Sequence, residues 1–170
     1  DPLRKKIAVA TDSAQVYEIS AREGHNLHDA PVLVGHSERR LSGLAAHPTC
    51  SSEFCTVGDD RRVHIWDVEG RRPARSVSLD TMARCCAYSQ DGKMIAVGLG
   101  GVDASGKRKR KDGAYVVLDA ASLTILHEAR DSKHPLNAMS FSPDGLLLVV
   151  ASEDRCLYLY NVSDFASTTK

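Results

Sequence analysis

The sequence predicts an all-β fold made of repeated four-stranded antiparallel sheets, and three observations carry this prediction. Four short segments share one pattern of an apolar, an aromatic or large, a polar and an apolar residue: VYEI at 16–19, IWDV at 65–68, VLDA at 117–120 and LYNV at 159–162. Turn signals alternate with short apolar runs that are typical of strands. No ten-residue stretch combines a helical period with caps.

The shared pattern recurs at the interval of one β-propeller blade. Its second residues, Tyr17, Trp66, Leu118 and Tyr160, lie 49, 52 and 42 positions apart, close to the roughly 40–45 residues of a four-stranded blade. A closed ring needs about four to eight blades, whereas 170 residues hold only ~3.5. We therefore expect a piece of a longer protein, with an incomplete ring that the remaining blades or a second copy would complete.

Fourteen strands are predicted in four units of three, four, four and three strands. In the first unit, 1–34, the strands lie at about 6–10, 14–19 and 30–34, without an inner strand. In the second, 35–80, they lie at 41–47, 53–57, 62–68 and 73–79. In the third, 81–131, they lie at 83–89, 94–99, 114–119 and 123–128. In the fourth, 132–162, they lie at 136–141, 147–152 and 156–161, without an outer strand, and 163–170 are predicted to start a linker.

Two hairpin turns are predicted from four-residue signals. The segments SQDG at 89–92 and SPDG at 142–145 place Asp and Gly where a type I-like turn needs them. Glycine suits the last position because its backbone accepts a positive φ. Each turn is expected to join the first two strands of its unit.

The second unit carries the signature of a WD repeat. A Gly-His pair at 35–36 precedes a Trp-Asp pair at 66–67 by 30 residues, which is the layout of that repeat. The predicted strands aim Thr56 and Asp60 at His36 and Trp66. We therefore expect a structural hydrogen-bond chain, which would satisfy buried polar groups and fix the outer strand to the inner ones: Trp66, Thr56, His36 and Asp60.

The third and fourth units lack the complete WD set. Leu118 replaces the tryptophan in the third unit. In the fourth, Asp154 and Tyr160 remain, but Val150 stands where a hydroxyl is needed. These two units are expected to depend more on packing.

Several phrases are more specific than a generic WD repeat. They are Gly-Asp-Asp at 58–60, HEARDSK at 127–133 and LYLYNVSD at 157–164. With their surroundings, from about 30 to 165, they resemble the propeller region of the echinoderm microtubule-associated protein-like family. The family's usual Trp before the Gly-Leu pair at 43–44 is replaced by Ser42.

The resemblance implies a cytoplasmic protein of the cytoskeleton. Tandem propellers of such a protein would act as a non-enzymatic scaffold that binds tubulin or microtubules. The alternative is a general WD-repeat adaptor that binds proteins unrelated to tubulin, because a propeller fold alone supports both functions.

A long insertion, from about Gly100 to Lys111, separates the second and third strands of the third unit. Gly101 to Lys107 matches the first seven positions of the phosphate-binding pattern G-x-x-x-x-G-K. Arg108 stands where that loop needs Ser or Thr, and the next segment, AYVVLD, has the composition of a strand instead of the required helix. The sequence therefore disfavours a nucleotide hydrolase.

The insertion also carries an unbroken basic run: Lys107, Arg108, Lys109, Arg110 and Lys111. A solvated loop without a specific role is one interpretation. Contact with an acidic partner surface, tubulin under the family resemblance, is a second. Nuclear targeting or nucleic-acid binding is a third, but no aromatic residue alternates with the charges and the formal net charge is +0.

No catalytic, metal or cofactor site is predicted elsewhere. His25 and His28 have metal-compatible spacing without a third ligand nearby, so a polar loop is favoured. The five cysteines include no C-x-x-C pair, which is typical of a reduced, intracellular chain. Cys85 and Cys86 are expected on opposite faces of one strand. No segment approaches the roughly 20 apolar residues of a membrane span.

Overall fold

The computed structural model describes residues 5–11, 15–29, 31–36, 40–101 and 111–169. These residues form fifteen strands in four antiparallel sheets, which we call the first to fourth blades. The first blade contains β1 (Lys6–Ala10), β2 (Gln15–Ser20) and β3 (Leu33–Val34). The second contains β4 (Leu41–Ala46), β5 (Glu53–Gly58), β6 (Arg62–Asp67) and β7 (Arg72–Ser78). The predicted all-β, open propeller segment is thereby confirmed.

The last two blades each have four strands in the order of a hairpin meander. The third contains β8 (Ala83–Tyr88), β9 (Met94–Leu99), β10 (Ala114–Asp119) and β11 (Ile125–Arg130). The fourth contains β12 (Leu136–Phe141), β13 (Leu147–Ser152), β14 (Leu157–Asn161) and β15 (Ser167–Thr169). The inner strands β4, β8 and β12 lie next to one another, which places the three blades around a shared axis.

The prediction that 163–170 start a linker is wrong, and so is the count of fourteen strands. Residues 167–169 form β15, which pairs antiparallel with β14 and gives the fourth blade its outer strand. The chain reverses in a turn where the Asp164 carboxylate accepts a hydrogen bond from the Ala166 amide. The polar sequence Ser-Thr-Thr of β15 has no apolar alternation, so the pattern that indicates strands is absent.

The outer strand of the third blade begins two residues later than the predicted 123–128. Leu123 has a φ of +58° and lies in the turn before the strand. The Asp119 carboxylate accepts hydrogen bonds from the amides of Ala121 and Ser122, which holds the chain in that turn. The strand therefore begins at Ile125 and continues to Arg130.

The two hairpin turns lie where the sequence places them. Gly92 and Gly145 both have a φ of +73°. Their amides donate to the carbonyl oxygens of Ser89 and Ser142, which closes each turn. The turns join β8 to β9 and β12 to β13.

The hydrophobic core lies between the flat faces of the blades. Successive residues of a strand point to opposite faces, so the third blade, which is covered on both sides, has central strands β9 and β10 that are apolar at nearly every position. In β9 and β10, Val97 and Val116 pack toward the second blade, whereas Ala96 and Val117 pack toward the fourth. Cys86 and Cys85 divide between the same two cores, as expected.

Two blade faces remain open. Leu44 on the inner strand of the second blade is 64% exposed, because the described part of the first blade offers no inner strand beside it. Leu157 on the far face of the fourth blade is 57% exposed. Among the described residues, the structure has no helix with the length and apolarity of a membrane span.

Candidate functional site

The residues of the predicted hydrogen-bond chain meet on one face of the second blade. Thr56 lies on β5 and Trp66 on β6, while Asp60 lies in the turn between these strands. His36 reaches them from the loop before β4. In the pairing of β5 with β6, Thr56 lies opposite His64 and Phe54 lies opposite Trp66. The side chains of these four strand residues therefore share the face that looks toward the first blade.

Three hydrogen bonds connect the chain from end to end. The indole Nε1–H of Trp66 donates to Thr56 Oγ1 at 2.6 Å. Thr56 Oγ1 lies 2.8 Å from His36 Nε2, and His36 Nδ1 lies 2.8 Å from Asp60 Oδ1. An ionised carboxylate only accepts, so His36 Nδ1 carries a proton. In the neutral imidazole, Nε2 then accepts from the Thr56 hydroxyl, and every group has a partner.

A second histidine, His64, lies against this chain and has no comparable partners. It is 1% exposed, and its ring centroid lies 4.6 Å from that of His36 in an edge-on contact. Neither of its ring nitrogens has a hydrogen-bond partner among the described residues. Burial, followed by the nearby His36, lowers the pKa of His64 to about 4. The imidazole is therefore neutral near pH 7.

His36, Asp60 and His64 form what we call the histidine cluster. Each offers one ligand atom, and these atoms all lie within 4.8 Å of one another. In the described part of the chain, this is the one group of three or more such residues that is close enough to hold a metal ion. Sequence reasoning missed His64, although its position two residues before Trp66 places it on the same strand face.

The histidine pair considered for metal binding in the sequence does not converge. His28 Nε2 lies 3.1 Å from a carboxylate oxygen of Glu18. His25 Nδ1 lies 3.3 Å from Glu23. Both rings are more than half exposed, which suits the polar loop that the sequence favoured.

An apolar groove lies beside the hydrogen-bond chain, which we call the aromatic groove. Its volume is about 460 Å³, and Phe54 and Trp66 stack along it with ring centroids 5.9 Å apart. Its other lining residues are Gly35, His36, Leu41, Leu44 and Thr56. The groove borders the inner strand of the second blade through Leu41 and Leu44, and the His36 side chain, which is 8% exposed, forms part of its wall.

The basic insertion is only partly described. Lys107, Arg108, Lys109 and Arg110 lie outside the described residues. Lys111 lies 2.9 Å from Asp80 and 2.6 Å from Glu128. These two carboxylates, Glu128 more than Asp80, raise the pKa of the Lys111 ammonium. Lys111 is therefore tied to the blade by two ion pairs.

The start of the phosphate-loop pattern is already engaged with an acid. The Gly101 amide donates to the Asp112 carboxylate at 2.9 Å, so this N–H points at a negative group of the protein itself. The remaining residues of the pattern, 102–107, lie outside the described part. The element that follows is the strand β10, whereas a phosphate loop needs a helix there.

The fourth blade contains a polar cluster that the sequence did not predict. Ser132 Oγ contacts the Ser152 hydroxyl at 2.8 Å and donates to Asp154 at 3.0 Å, and Tyr158 Oη donates to the same Asp154 oxygen at 2.5 Å. Two serines and a tyrosine thus replace the missing hydroxyl at Val150. The expectation that this blade depends more on packing did not include this cluster, because its polar partners come from other positions of the repeat.

Cys55 and Cys85 are buried thiols whose pKa values are raised. All five cysteines are free. Burial raises the pKa of Cys85 to about 12. The pKa of Cys55 is raised as well, by hydrogen bonding to Cys86 and by burial. Protonated thiols are poor nucleophiles, so these positions act as small core residues.

The chain is similar to a known family over most of its length. The family model described as the second β-propeller of echinoderm microtubule-associated protein matches residues 41–170, which contain β4 to β15. Echinoderm microtubule-associated protein-like 3 of Mus musculus is 34% identical over 134 residues, or 79% of this chain. Echinoderm microtubule-associated protein-like 1 of Homo sapiens is 31% identical over 134 residues. The aligned segment spans 14% and 15% of these two relatives.

Proposed function

The chain belongs to the echinoderm microtubule-associated protein family, and from this membership we propose that it is part of a non-enzymatic scaffold that binds tubulin or microtubules. The observation that carries the proposal is the match of three complete blades to the second propeller of that family. The names of the relatives state a microtubule association. Cytoplasmic location on the cytoskeleton follows as part of the same proposal.

Rigid blades with exposed loops suit a scaffold. Binding residues concentrate on loops that a rigid framework positions, and the hydrogen-bond chain holds the loop at His36 against β5 and β6. We assign this chain a structural role, in which it keeps the rim of the second blade in place. A scaffold without catalysis also agrees with the engaged Gly101 amide and with the raised thiol pKa values of Cys55 and Cys85.

The basic insertion is our candidate for contact with an acidic partner surface. Its residues Lys107 to Arg110 concentrate positive charge in one part of a chain whose formal net charge is +0. Any electrostatic attraction to an acidic partner must therefore be local. Lys111 would anchor the base of the insertion, because its ammonium is held by Asp80 and Glu128. Exposed acidic tails of tubulin have the complementary charge.

Co-sedimentation of the full-length protein with microtubules tests the proposal. We expect the protein to pellet with microtubules and the bound fraction to fall as salt rises, because salt screens contacts between exposed charges. A full-length protein that stays in the supernatant at low salt would refute microtubule binding and favour the general adaptor.

A matched pair of variants tests the basic insertion separately. K109Q with R110Q removes two positive charges from the insertion, and R71Q with R72Q removes two from the exposed turn before β7 and the first residue of that strand. We expect weaker binding and a shallower salt dependence only for the insertion variant. Equal binding by both variants would remove the insertion from the mechanism and leave the family assignment untouched.

A further inference from the structure

We propose that the histidine cluster is a binding site for one divalent metal ion of the zinc type, with His36, Asp60 and His64 as its protein ligands. The site would lie inside the second blade, next to the aromatic groove. It is independent of microtubule binding, because it depends only on contacts within this blade.

The spacing of the three residues is close to that of a metal centre. Zinc bonds nitrogen and oxygen at about 2.0–2.2 Å, which puts neighbouring ligands of a tetrahedral site about 3.3 Å apart. The candidate ligand atoms lie within 4.8 Å of one another, and His36 Nδ1 lies 2.8 Å from Asp60. Shifts of roughly 1 Å in side chains would therefore bring all three around one ion.

The burial of His64 points to a ligand that the protein itself does not supply. Buried polar atoms almost always have a hydrogen-bond partner. His64 is 1% exposed, and both of its ring nitrogens lack a partner among the described residues. The ring centroids of His64 and His36 lie 4.6 Å apart in an edge-on contact. A metal ion beside these rings would give one His64 nitrogen a partner.

The hydrogen bonding of the apo protein is compatible with metal binding. A metal-bound imidazole is neutral and binds the ion through a ring nitrogen that carries no proton. In the apo protein, the His36 proton is on Nδ1, toward Asp60. When Nδ1 binds the ion, this proton moves to Nε2, which then donates to Thr56 Oγ1 instead of accepting from it. The ring keeps one proton in both states, and no net proton is released from His36.

Thr56 and Trp66 would orient the site. Metal-bound histidines normally donate their other ring N–H to a nearby acceptor, and Thr56 Oγ1 lies 2.8 Å from His36 Nε2. The threonine oxygen has two lone pairs, so it can accept from both His36 and Trp66. The arrangement that stabilises the blade without metal thus also supplies the outer partners of the ligand.

The ligand set favours zinc over calcium or magnesium. Two imidazoles and one carboxylate suit zinc and related transition metals, whereas calcium and magnesium prefer oxygen ligands alone. Three protein ligands leave one position for water. The aromatic groove borders His36 and gives a path for the ion and for that water.

Metal titration of the full-length protein tests the site. After removal of bound metal with a chelator, Zn²⁺ alone should raise the unfolding temperature. Co²⁺ should give the visible absorption of a tetrahedral site with nitrogen and oxygen ligands. We expect H64L to lower the stoichiometry by one ion and D60N to weaken the affinity at the same site. Loss of a residue that hydrogen-bonds a metal ligand lowers metal affinity by about 10–100-fold. Loss of the His64 ligand itself should therefore lower the Zn²⁺ affinity by more than about 100-fold.

H127L is the matched control, since His127 also has a buried nitrogen without a partner among the described residues. It lies in the third blade, stacked on Phe165, and its loss should leave metal binding unchanged. Equal Co²⁺ spectra and stoichiometry for the wild type, H64L and D60N would overturn the proposal. A wild-type protein that binds no Zn²⁺ or Co²⁺ at micromolar concentrations would overturn it without any variant.

Discussion

Thr56 connects the two ends of the hydrogen-bond chain, because its single hydroxyl contacts both Trp66 and His36. The residue types of this chain follow from the Gly-His and Trp-Asp spacing, so the sequence alone predicted all four members. His64 was missed because the WD spacing assigns no role to this position, although it lies two residues before Trp66 on the same strand face and pairs opposite Thr56. The Ser132 cluster was missed because its two serines and its tyrosine lie at positions where the WD pattern requires no polar residue, in the loop before β12, on β13 and on β14.

The first prediction is that T56V destabilises the protein by about 2–3 kcal/mol. Valine has nearly the same shape but leaves the Trp66 N–H and the His36 Nε2 without a partner, and buried polar groups without partners are costly. T56S is the control, because it keeps the hydroxyl and should cost less than about 1 kcal/mol for one lost methyl. Urea unfolding of both variants measures the difference. Equal losses would show that the methyl, and not the hydroxyl, is important.

The second prediction concerns acid stability in the fourth blade. The Tyr158 hydroxyl lowers the pKa of Asp154 to about 2, from an ordinary value of 3.8. A folded-state pKa below the unfolded one gives stability that is present above about pH 4 and is lost as the pH falls toward about 2. Y158F removes the donor, so its free energy of unfolding should fall less steeply than the wild type's in that range.

The same Asp154–Tyr158 hydrogen bond makes stability depend on pH in the opposite direction in alkali. Hydrogen bonding to Asp154 raises the pKa of Tyr158 to about 12, from 10.0, so this contribution is present below about pH 10 and is lost as the pH rises toward 12. Urea unfolding midpoints of the wild type and Y158F at about pH 3, 6 and 11 measure both effects. The lowest pH tests the loss of stability in acid, and the highest tests the loss in alkali. Parallel curves for the two proteins would contradict the assignment.

At the scale of strands and turns, the sequence predicted fourteen of the fifteen strands from alternation and turn residues. The missing one, β15, has three polar residues and is fixed by its pairing with β14, which is a contact and not a local pattern. The late start of β11 has a comparable cause, because the Asp119 carboxylate binds two amides of the turn. Side chains that hold turns shift strand ends without changing the apolar pattern.

The third prediction compares the two hairpin glycines, which have the same φ of +73°. An alanine Cβ at Gly145 would have no atom within 4 Å, whereas at Gly92 it would lie 2.3 Å from His47 Cε1. G145A should therefore cost about 1 kcal/mol for the left-handed backbone alone. G92A should cost at least about 1 kcal/mol more, because the His47 ring is held by the Cys50 amide. Urea unfolding compares them, and equal costs would contradict the predicted clash.

At the scale of the whole molecule, two apolar regions lack full cover among the described residues: the inner part of the second-blade face and the far face of the fourth blade. Leu44 on one face and Leu157 on the other are each more than half exposed. Propeller blades stack face to face around a ring, so further blades or a second copy of the chain would cover both regions. The open ring was predictable from repeat spacing and length, whereas the exposure of these particular leucines required the register.

The last prediction is that residues 1–170 alone self-associate, because large exposed apolar patches promote contact between copies. Light scattering should report a mass above that of one chain, and full-length protein should not associate through these faces. L44E and L157E each place a charge on an open face and should lower the mass. I125E is the control, because Ile125 is 56% exposed but lies on the outer strand β11, so it should leave association unchanged. A monomer with a sharp unfolding transition would mean that the segment closes on itself in solution.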